Sequence, residues 1–525
     1  MSDTSRVSQD HTFVQKSKRS LLRIVFGRTM LILLLLGINF GIVFYFLFGL
    51  AKDIPLLFGS VEVFTAALLI CVINSRDNPS VKLSWAFIIA TVPLLGAVLY
   101  FFIRFDLGHR LNRKLLDYSV ASSLPLLPEQ EALMEKVRSE DKNLYNLSTY
   151  LRKYGNFPIY TNSDVTYFPV GEEMFREMLV QLEQAEKFIF MEYFLVSEGY
   201  MWETLLDILK RKASQGVEVR FLYDGMNAFT NLPYGYPGQL EQLGIRCKMF
   251  APIRPLVSTH YNNRDHRKIM VIDGHTAFTG GINLEDQYIN RKQLYGHWKD
   301  TAVMVKGDAV QSFTMMFLQM WNYNERNRVF SPYLTLPKDP PRAEGYVIPY
   351  GDSPMDDEAV GEMVYLDLLN RAKDYVYIMT PYLIPDNELL TALQFAAKRG
   401  VDVRLILPGI PDKKTVFALS RSYYRQLLEA GVKIYEYTPG FVHAKVALSD
   451  DIHAVVGTIN LDYRSLYHHF ECAAYLYRTP VLADIRADFS QTLEKCRRVY
   501  PEHLRSFPLW ARIFAFIAKF AAPLM

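Results

Sequence analysis

The chain has 525 residues, half of them hydrophobic, and 58 Lys and Arg against 55 Asp and Glu give a formal net charge of +3. This length allows more than one globular unit with a sizeable core. The near balance of charge argues against a nucleic-acid binder, which needs a concentrated basic surface, so no nucleic-acid partner is expected. The four cysteines lie far apart without metal-ligand spacing, so neither a disulfide framework nor a zinc site is predicted.

The N-terminal 104 residues predict a basic arm followed by a membrane region. Residues 1–28 form the arm, and residues 29–50 carry no charged residue for 22 positions, which is long enough to cross a bilayer. Two further apolar stretches, 55–74 and 83–103, predict a second and a third transmembrane helix. The transmembrane region is therefore placed at 29–104. Lys and Arg flank it on both sides, so the positive-inside rule does not fix its orientation.

After a connector at 105–150 the chain repeats one pattern of helices and strands. "KRKASQGVEVRFLYDG" (210–225) resembles "QFAAKRGVDVRLILPG" (394–409), each a helix end, a glycine and an alternating strand. Such alternation predicts an α/β fold of two duplicated halves, each a mostly parallel or mixed sheet between helices.

The predicted boundaries follow from this repeat. The halves lie at 151–330 and 346–495, with a proline-containing linker at 331–345. Residues 496–525 predict a C-terminal amphipathic segment that suits either a membrane interface or ordinary packing on the core.

A shared motif follows each copy of the pattern. Residues 266–273 read "HRKIMVID" and residues 443–450 read "HAKVALSD", 177 positions apart. If each is a strand, the His and Lys (His266 and Lys268, His443 and Lys445) project to one face, while Asp273 and Asp450 have the opposite parity. An imidazole beside an ammonium group suits phosphate chemistry, because the lysine neutralises charge while the imidazole attacks phosphorus or transfers a proton.

Further residues are expected to complete the site. "GGIN" (280–283) and "GTIN" (457–460) follow the motifs, and the amides of Asn283 and Asn460 can donate to phosphate oxygens. Each histidine needs a partner that orients its second nitrogen, and Asp300 and Glu471 open the next alternating strands. Two histidines fit a ping-pong reaction in which one is the nucleophile and the other the acid and base.

The paired motifs, HxKxxxxD followed by GGxN or GTxN, resemble the phospholipase D superfamily. With "WAFIIATVPLLGAVLY" (85–100), "NNRDHRK" (262–268) and "NLDYRSLYHHFE" (460–471), the chain resembles bacterial cardiolipin synthases from about the second predicted span onward. Such enzymes join two phosphatidylglycerol molecules into cardiolipin and release glycerol. Members often have Ser after the motif glycine, where this chain has Gly281 and Thr458, and many have two spans rather than three.

The resemblance implies a role for each motif residue. His266 would form a phosphatidyl-histidine and His443 would be the acid and base. The phosphate would be bound by Lys268, Lys445, Asn283 and Asn460. Asp273 and Asp450 complete the catalytic motifs in a structural role. It further implies a phospholipase D-like αβα sandwich in each half, the lipid bilayer as a partner and no metal or other cofactor. The expected location is the bacterial cell membrane, as a multi-pass protein with its catalytic region at the cytoplasmic face.

Several alternatives stay open at this point. A hydrolase would use the same residues with water in the second step, and another phosphatidyltransferase would use a different alcohol. A nuclease of the superfamily is disfavoured by the predicted spans and the near-neutral charge, and a non-catalytic scaffold by the completeness of both motifs. "DGMNAF" (224–229) only superficially resembles the start of metal-dependent phosphatidyltransferases, since Phe229 replaces their arginine. The histidines His275, His453, His468 and His469 are interpreted as ordinary polar residues.

Overall fold

The computed structural model describes residues 55–104, 107–252, 263–334, 336 and 339–524, together with Gly37 and Gly41. The chain divides into two compact units, an N-terminal one and one formed by most residues after 110. The predicted arm at 1–28 and, apart from the two glycines, the predicted span at 29–50 lie outside the described residues.

Between residues 55 and 104, the described part of the N-terminal unit forms three helices, Pro55–Ile73, Pro79–Thr91 and Pro93–Arg104. A small core lies among them, where the rings of Trp85 and Tyr100 meet edge to face with centroids 5.4 Å apart. Among the residues that the structure describes, no helix combines the length and apolar character needed to cross a membrane. The spans expected from the sequence in this region therefore stay predictions.

The stretch at 83–103 is divided between two helices and does not form a single one. One helix ends at Thr91 and another begins at Pro93, with Val92 between them at φ −136° and ψ 71°. Proline has no N–H to continue the helical ladder and restricts the residue before it to extended conformations. The apolar character of the stretch concealed this break.

In the first half of the second unit, the residues that the structure describes form nine strands. They are β1 (Ser163–Phe168), β2 (Phe188–Tyr193), β3 (Glu218–Asp224), β4 (Arg246–Phe250), β5 (Arg264–Asp265), β6 (Lys268–Ile272), β7 (Thr276–Gly280), β8 (His297–Lys299) and β9 (Ala302–Gly307). Seven form a sheet in the order β1-β9-β7-β6-β2-β3-β4, in which β2, β3 and β4 are parallel and the other pairs antiparallel. The sheet is thus mixed.

The second half repeats this arrangement. Its strands are β10 (Tyr346–Asp352), β11 (Tyr375–Met379), β12 (Leu383–Ile384), β13 (Asp402–Pro408), β14 (Lys433–Tyr437), β15 (Gly440–Val442), β16 (Val446–Ser449), β17 (His453–Gly457), β18 (Leu461–Asp462), β19 (His469–Tyr477) and β20 (Cys496–Val499). The order β10-β19-β17-β16-β11-β13-β14 matches the first sheet strand for strand. In addition, β20 pairs with β14, so the sheet of the second half continues beyond the predicted boundary at residue 495. The predicted duplicated α/β fold is confirmed.

Helices surround these sheets. In chain order they are Leu107–Ser123, Glu131–Glu140, Lys142–Tyr150, Gly171–Glu183, Tyr200–Ser214, Asn227–Thr230, Tyr236–Glu241, Val310–Asn322, Val360–Arg371, Asn387–Lys398, Lys414–Arg421, Tyr424–Glu429, Tyr463–Tyr467, Leu482–Glu494 and Leu509–Ala521. The predicted connector at 105–150 is largely helical, and Met134, Val137 and Leu144 pack into the core of the second half.

The two halves share a core and exchange short strands. All residues of β2, β6, β7 and β19 are buried, as expected for strands covered on both faces. One hydrophobic cluster takes residues from both sheets, including Phe190 and Val271 of the first and Val456 and Leu476 of the second. In addition, β5 pairs in parallel with β19 and β8 with β15. These exchanged pairs adjoin the two motifs.

Candidate active site

His266 lies where the first half meets the second. The residue precedes β6 rather than belonging to it, and its backbone N–H donates to the Phe470 carbonyl at 2.9 Å. Its Nδ1 lies 2.9 Å from both carboxylate oxygens of Glu471, which is fully buried within β19. A carboxylate at Nδ1 fixes the ring orientation and leaves Nε2 as the reactive nitrogen.

His443 is held in the same way, but by groups of the first half. The residue follows β15, and its backbone N–H donates to the Lys299 carbonyl at 2.7 Å. Its Nδ1 lies 2.6 Å from Oδ2 of the fully buried Asp300, between β8 and β9. Each motif histidine is therefore oriented by a carboxylate of the other half.

The two motif lysines lie beside their histidines. Nζ of Lys268 donates to the His266 carbonyl, and Nζ of Lys445 donates to the His443 carbonyl and lies 2.8 Å from the Nδ1 of that histidine. Both lysine side chains are almost completely buried. Two ammonium groups enclosed with two imidazoles form a site suited to a phosphate group.

Burial and neighbouring charges lower the pKa values of these four side chains. Burial and then the charge of Lys268 and of Lys445 hold the pKa of His266 well below its usual range. Burial, Lys445 and, more weakly, Lys268 lower the pKa of His443 to about 4, although Asp300 opposes the shift. Burial lowers the pKa of Lys268 to about 8 and of Lys445 to about 7. Both histidines are therefore neutral at pH 7 before a substrate binds.

The two asparagines are buried in different surroundings. The side chain of Asn283 donates from Nδ2 to the Tyr288 hydroxyl at 2.8 Å and accepts at Oδ1 from the Leu195 N–H at 3.0 Å. The Oδ1 of Asn460 has no hydrogen-bond partner among the described residues. Asn283 is thus held in place by protein groups, and Asn460 retains hydrogen-bonding capacity for a ligand.

Asp273 and Asp450 each anchor a turn. Both have left-handed backbone conformations, with φ of 53° and 55°. Each carboxylate accepts three consecutive backbone N–H groups at 2.7–2.9 Å, from Glu186, Lys187 and Phe188 or from Lys373, Asp374 and Tyr375. These bonds fix the start of the strand beside the motif strand, in agreement with a structural role.

The position after the first motif glycine breaks the symmetry of the repeat. In the second half, the Thr458 hydroxyl donates to the Glu471 carboxylate and accepts from the Cys472 N–H at 3.0 Å. In the first half, a Cβ added at Gly281 would meet Oδ1 of Asp300 at 2.0 Å. Only glycine fits there without displacing that carboxylate, so the two carboxylates have different neighbours.

His469 is a member of the site that the sequence interpretation missed. Its ring centroid lies 5.2 Å from that of His266, its residue exposure is 7 %, and neither ring nitrogen has a hydrogen-bond partner among the described residues. By contrast, Nδ1 of His453 lies 2.6 Å from the Tyr475 hydroxyl. The signal that could have identified His469 is its spacing, because residues 469 and 471 share parity on β19.

Two groups of described side chains lie close enough to share a metal ion. One comprises His266, His469 and Glu471, and the other comprises Glu362, Asp386 and Glu388. In the first group, Glu471 already pairs with His266, and the charges of the motif lysines disfavour a dication. In the second group, the Tyr467 hydroxyl contacts Glu362 and Asp386.

Two family models match this chain. The family described as "Cardiolipin synthase, PLD-like domain" matches residues 178–321 and 365–493, which contain both motifs. A second family, described as phospholipase D-nuclease N-terminal, matches residues 63–104. The chain belongs to the cardiolipin synthase family. The prediction that it is a phosphatidyltransferase enzyme of the phospholipase D superfamily is confirmed.

Relatives in this family align over nearly their whole length. An uncharacterised protein of Streptococcus mutans is 52% identical over 86% of this chain and 98% of the relative. A cardiolipin synthase of Geobacillus kaustophilus is 34% identical over 89% of this chain and 93% of the relative. Cardiolipin synthase 2 of Bacillus cereus is 35% identical over 88% of this chain and 90% of the relative.

The fold is also similar to a solved structure. Phosphatidylserine synthase of Haemophilus influenzae superposes with a TM-score of 0.55 at 16% identity, over 73% of this chain and all of that one. At this identity the similarity establishes the shared fold, and the family assignment depends on the sequence comparisons.

Proposed function

We propose that the protein is a cardiolipin synthase that transfers a phosphatidyl group between two phosphatidylglycerol molecules, giving cardiolipin and glycerol. The observation that carries this proposal is the pair of buried imidazoles, each oriented by a carboxylate of the other half and each beside a lysine. Family membership supports the substrate class, and the paired histidines support two successive transfers through one site.

In the first transfer, Nε2 of His266 attacks the phosphorus of a phosphatidylglycerol, and the bond from phosphorus to the glycerol oxygen breaks. His443 gives a proton to that oxygen, so glycerol leaves as a neutral alcohol. Because the pKa of His443 is about 4 in the free enzyme, the negative phosphodiester must raise it before His443 acts as an acid. The charges of Lys268 and Lys445 stabilise the phosphoryl oxygens.

In the second transfer, His443 removes a proton from the free glycerol hydroxyl of another phosphatidylglycerol. That oxygen attacks the phosphatidyl group on His266, the phosphorus–nitrogen bond breaks, and cardiolipin forms. Every atom and proton balances without a metal or redox cofactor, and the steps are reversible because one phosphodiester replaces another. The carboxylates of Glu471 and Asp300 hold both rings in place throughout.

We also propose that the enzyme acts at the bacterial cell membrane with its catalytic region at the cytoplasmic face. Its substrate and product are membrane lipids, and residues 29–50 form an uncharged apolar stretch of 22 residues. Labelling of introduced cysteines by an impermeant reagent in intact and opened cells tests the orientation, and protection of catalytic-unit sites in intact cells is expected.

Product analysis tests the proposed reaction. The purified chain in detergent is given phosphatidylglycerol with a labelled acyl chain, and lipids are separated by thin-layer chromatography. Cardiolipin with one equivalent of free glycerol is expected. Phosphatidic acid with glycerol would show that water is the acceptor and would replace the proposal by a hydrolase. His443→Asn and His266→Asn, purified in the same way, are the controls for a contaminating activity.

Trapping of the intermediate tests the role of each histidine. With His443→Asn and a lipid whose leaving group needs no protonation, we expect acid-labile phosphate on His266 after rapid quench and peptide mapping. With His266→Asn no adduct is expected. Label on His443 alone would reverse the roles, and label on neither during turnover would exclude the covalent mechanism.

A further inference from the structure

The C-terminal helix Leu509–Ala521 has one face packed on the catalytic unit and one that is uncovered. Ala515 and Ala518 are buried, and Ala518 lies in the hydrophobic core of the second half. The opposite side carries a surface that we call the C-terminal face. Its residues are Leu509, Trp510, Ile513, Phe516 and Ile517.

The C-terminal face is unusually apolar for an exposed surface. Phe516 is 82 % exposed, Leu509 68 % and Ile517 64 %. Spacings of one, four, seven and eight residues place its five members within about a third of the helix circumference. Trp510, 59 % exposed, stands at the start of the helix, and tryptophan favours the boundary between apolar and aqueous phases. A contiguous apolar surface of this kind marks an interaction site.

A basic groove of about 480 Å³ lies beside the C-terminal face, between the helices Lys414–Arg421 and Leu509–Ala521. Two of its cations are engaged: Arg421 binds Glu436 at 2.8 Å, and Nζ of Lys519 lies 4.0 Å above the Tyr423 ring. Three others form no ion pair with any side chain in the described part of the chain. They are Lys414, Arg425 and Arg512.

The groove also adjoins the catalytic site along one helix. Lys413 immediately precedes the helix Lys414–Arg421, and its Nζ lies 3.3 Å from the Tyr382 hydroxyl. The ring of Phe441 lies 6.3 Å from that of Tyr382 and 6.0 Å from that of His443, between centroids. A lipid surface held at the groove would therefore lie next to the segment that borders the reacting groups.

We propose that the C-terminal face and its groove dock the catalytic unit on the surface of a bilayer rich in anionic phospholipid. Exposed aliphatic and aromatic side chains suit insertion at the acyl boundary, and the unpaired cations suit negatively charged headgroups beside it. Charge complementarity selects this occupant, because the apolar face alone would fit any hydrophobic partner. The inference does not depend on which reaction the site catalyses.

A local probe tests this docking in the full-length chain. Phe516→Cys in a background with Cys71→Ser and Cys496→Ser, which removes both accessible thiols, is labelled with an environment-sensitive fluorophore, and bromine-carrying lipids are used as quenchers. Vesicles contain either phosphatidylglycerol and phosphatidylcholine or phosphatidylcholine alone. Leu243→Cys, an exposed position on another surface, carries the control label. Because the signal arises at position 516, it reports on this face whatever else holds the chain on the vesicle.

We expect at least about fivefold stronger quenching at position 516 than at position 243 in the anionic vesicles, and much weaker quenching at 516 in phosphatidylcholine. Combined Lys414→Gln, Arg425→Gln and Arg512→Gln should remove the preference for anionic vesicles and raise KM for vesicle substrate about tenfold, while activity in micelles is unchanged. The matched control is Lys136→Gln, Arg138→Gln and Arg176→Gln, which should alter neither quantity.

Three results would overturn the proposal. In the first, the label at position 516 stays exposed to water with both vesicle types. In the second, it is quenched equally in both. In the third, it becomes buried as protein concentration rises in the absence of lipid. The last result would assign the face to a second copy of the chain. A protein that docks normally but gives no cardiolipin in micelles would contradict the proposed function and leave the docking proposal supported.

Discussion

The Nδ1 atom of His266 lies 2.9 Å from the carboxylate of Glu471, although the two residues belong to opposite halves of the repeat. Asp300 and His443 form the reciprocal pair at 2.6 Å. Since the exchanged strand pairs β5–β19 and β8–β15 adjoin these contacts, the backbone itself carries each carboxylate to its histidine. The four residues therefore form two crossed pairs, in each of which a histidine of one half contacts a carboxylate of the other. Substituting a carboxylate should affect the histidine that it contacts.

Substituting each carboxylate should impair the step that uses the histidine of the other half. With Glu471→Gln we expect loss of covalent labelling at His266, with the rate reduced about 10²- to 10⁴-fold, because the ring loses its orienting anion. With Asp300→Asn, labelling by a lipid with a good leaving group should persist while turnover of phosphatidylglycerol falls similarly. Rapid-quench labelling of both variants checks this. If Asp300→Asn abolished labelling and Glu471→Gln spared it, the crossed assignment would be refuted.

The motif lysines should set the alkaline limb of the pH profile. Burial lowers the pKa of Lys445 to about 7 and of Lys268 to about 8, so their positive charges are lost as pH rises through this range. We therefore expect kcat/KM, which reports the free enzyme, to fall as pH rises, because His443 has a pKa of about 4 and must take up a proton before the first transfer, and to fall more steeply above about pH 7–8, where the lysine charges are lost.

Arginine at position 445 provides the matched test of that limb. The guanidinium group keeps its charge throughout this range, so Lys445→Arg should move the alkaline limb to higher pH whatever its absolute rate. The profile of kcat should fall at higher pH than that of kcat/KM, because a bound phosphodiester raises the lysine pKa values. An unchanged limb in the variant would attribute it to another group.

His469 should contribute to substrate binding. Its buried ring nitrogens form no hydrogen bond within the described residues, although Nδ1 lies 3.6 Å from the Glu471 carboxylate. Burial lowers its pKa to about 3, so it meets a substrate as a neutral imidazole. Loss of a hydrogen bond to the substrate should reduce kcat/KM about 10-fold in His469→Ala, with partial recovery in His469→Asn. His275→Asn, on a partly exposed turn, is the control. Equal kinetics of wild type and His469→Ala would exclude the role.

Asp273 and Asp450 should matter for stability rather than for chemistry. Asparagine retains one acceptor oxygen where the carboxylate accepts three N–H groups, so Asp273→Asn should cost about 2–3 kcal/mol of folding stability. A lowered Tm with near-normal activity per folded molecule is expected, and Asp450→Asn should behave alike. Normal Tm combined with lost turnover would instead indicate a catalytic role.

Because positions 281 and 458 have different neighbours, substitution at position 281 should reduce turnover more than substitution at position 458. Gly281→Ala places a methyl group on the Asp300 carboxylate and should reduce turnover at least about 100-fold by displacing the partner of His443. Thr458→Ala removes one hydrogen bond from Glu471 and should cost about 10-fold. Turnover rates of both variants, measured in discontinuous assays with circular dichroism to confirm folding, give the two losses. Equal losses would contradict this account.

The sequence pattern identified most residues of this site. It could not show which carboxylate contacts which histidine, because those contacts cross between the two halves. The parity argument assumed that residues 266–273 form one strand, whereas the strand covers Lys268–Ile272 and Asp273 lies in a turn with φ of 53°. The motif strand begins at Lys268, so His266 lies in a junction whose position depends on pairing with β19. That Asp300 serves His443 rather than His266 depends on contacts across about 140 residues, which no local spacing reports.

The remaining differences have similar physical causes. His469 was interpreted as an ordinary polar residue, since a single histidine carries no sign of an unfilled partner. The break at Val92 was masked by uniform hydrophobicity, although Pro93 was visible. The repeat itself was detectable because similar segments and both motifs recur 177 positions apart, and the two halves have the same strand order.

The crossed pairs also have a consequence for how the two histidines of such a site can come to differ from each other. A symmetric dimer of identical half-chains would orient both histidines equally well, but its two copies of position 281 or 458 would have to be the same residue. Joined in one chain, the halves carry Gly281 against Asp300 and Thr458 against Glu471. Covalent fusion thus frees the two imidazoles to acquire different acidities, which is what separate nucleophile and proton-transfer roles require.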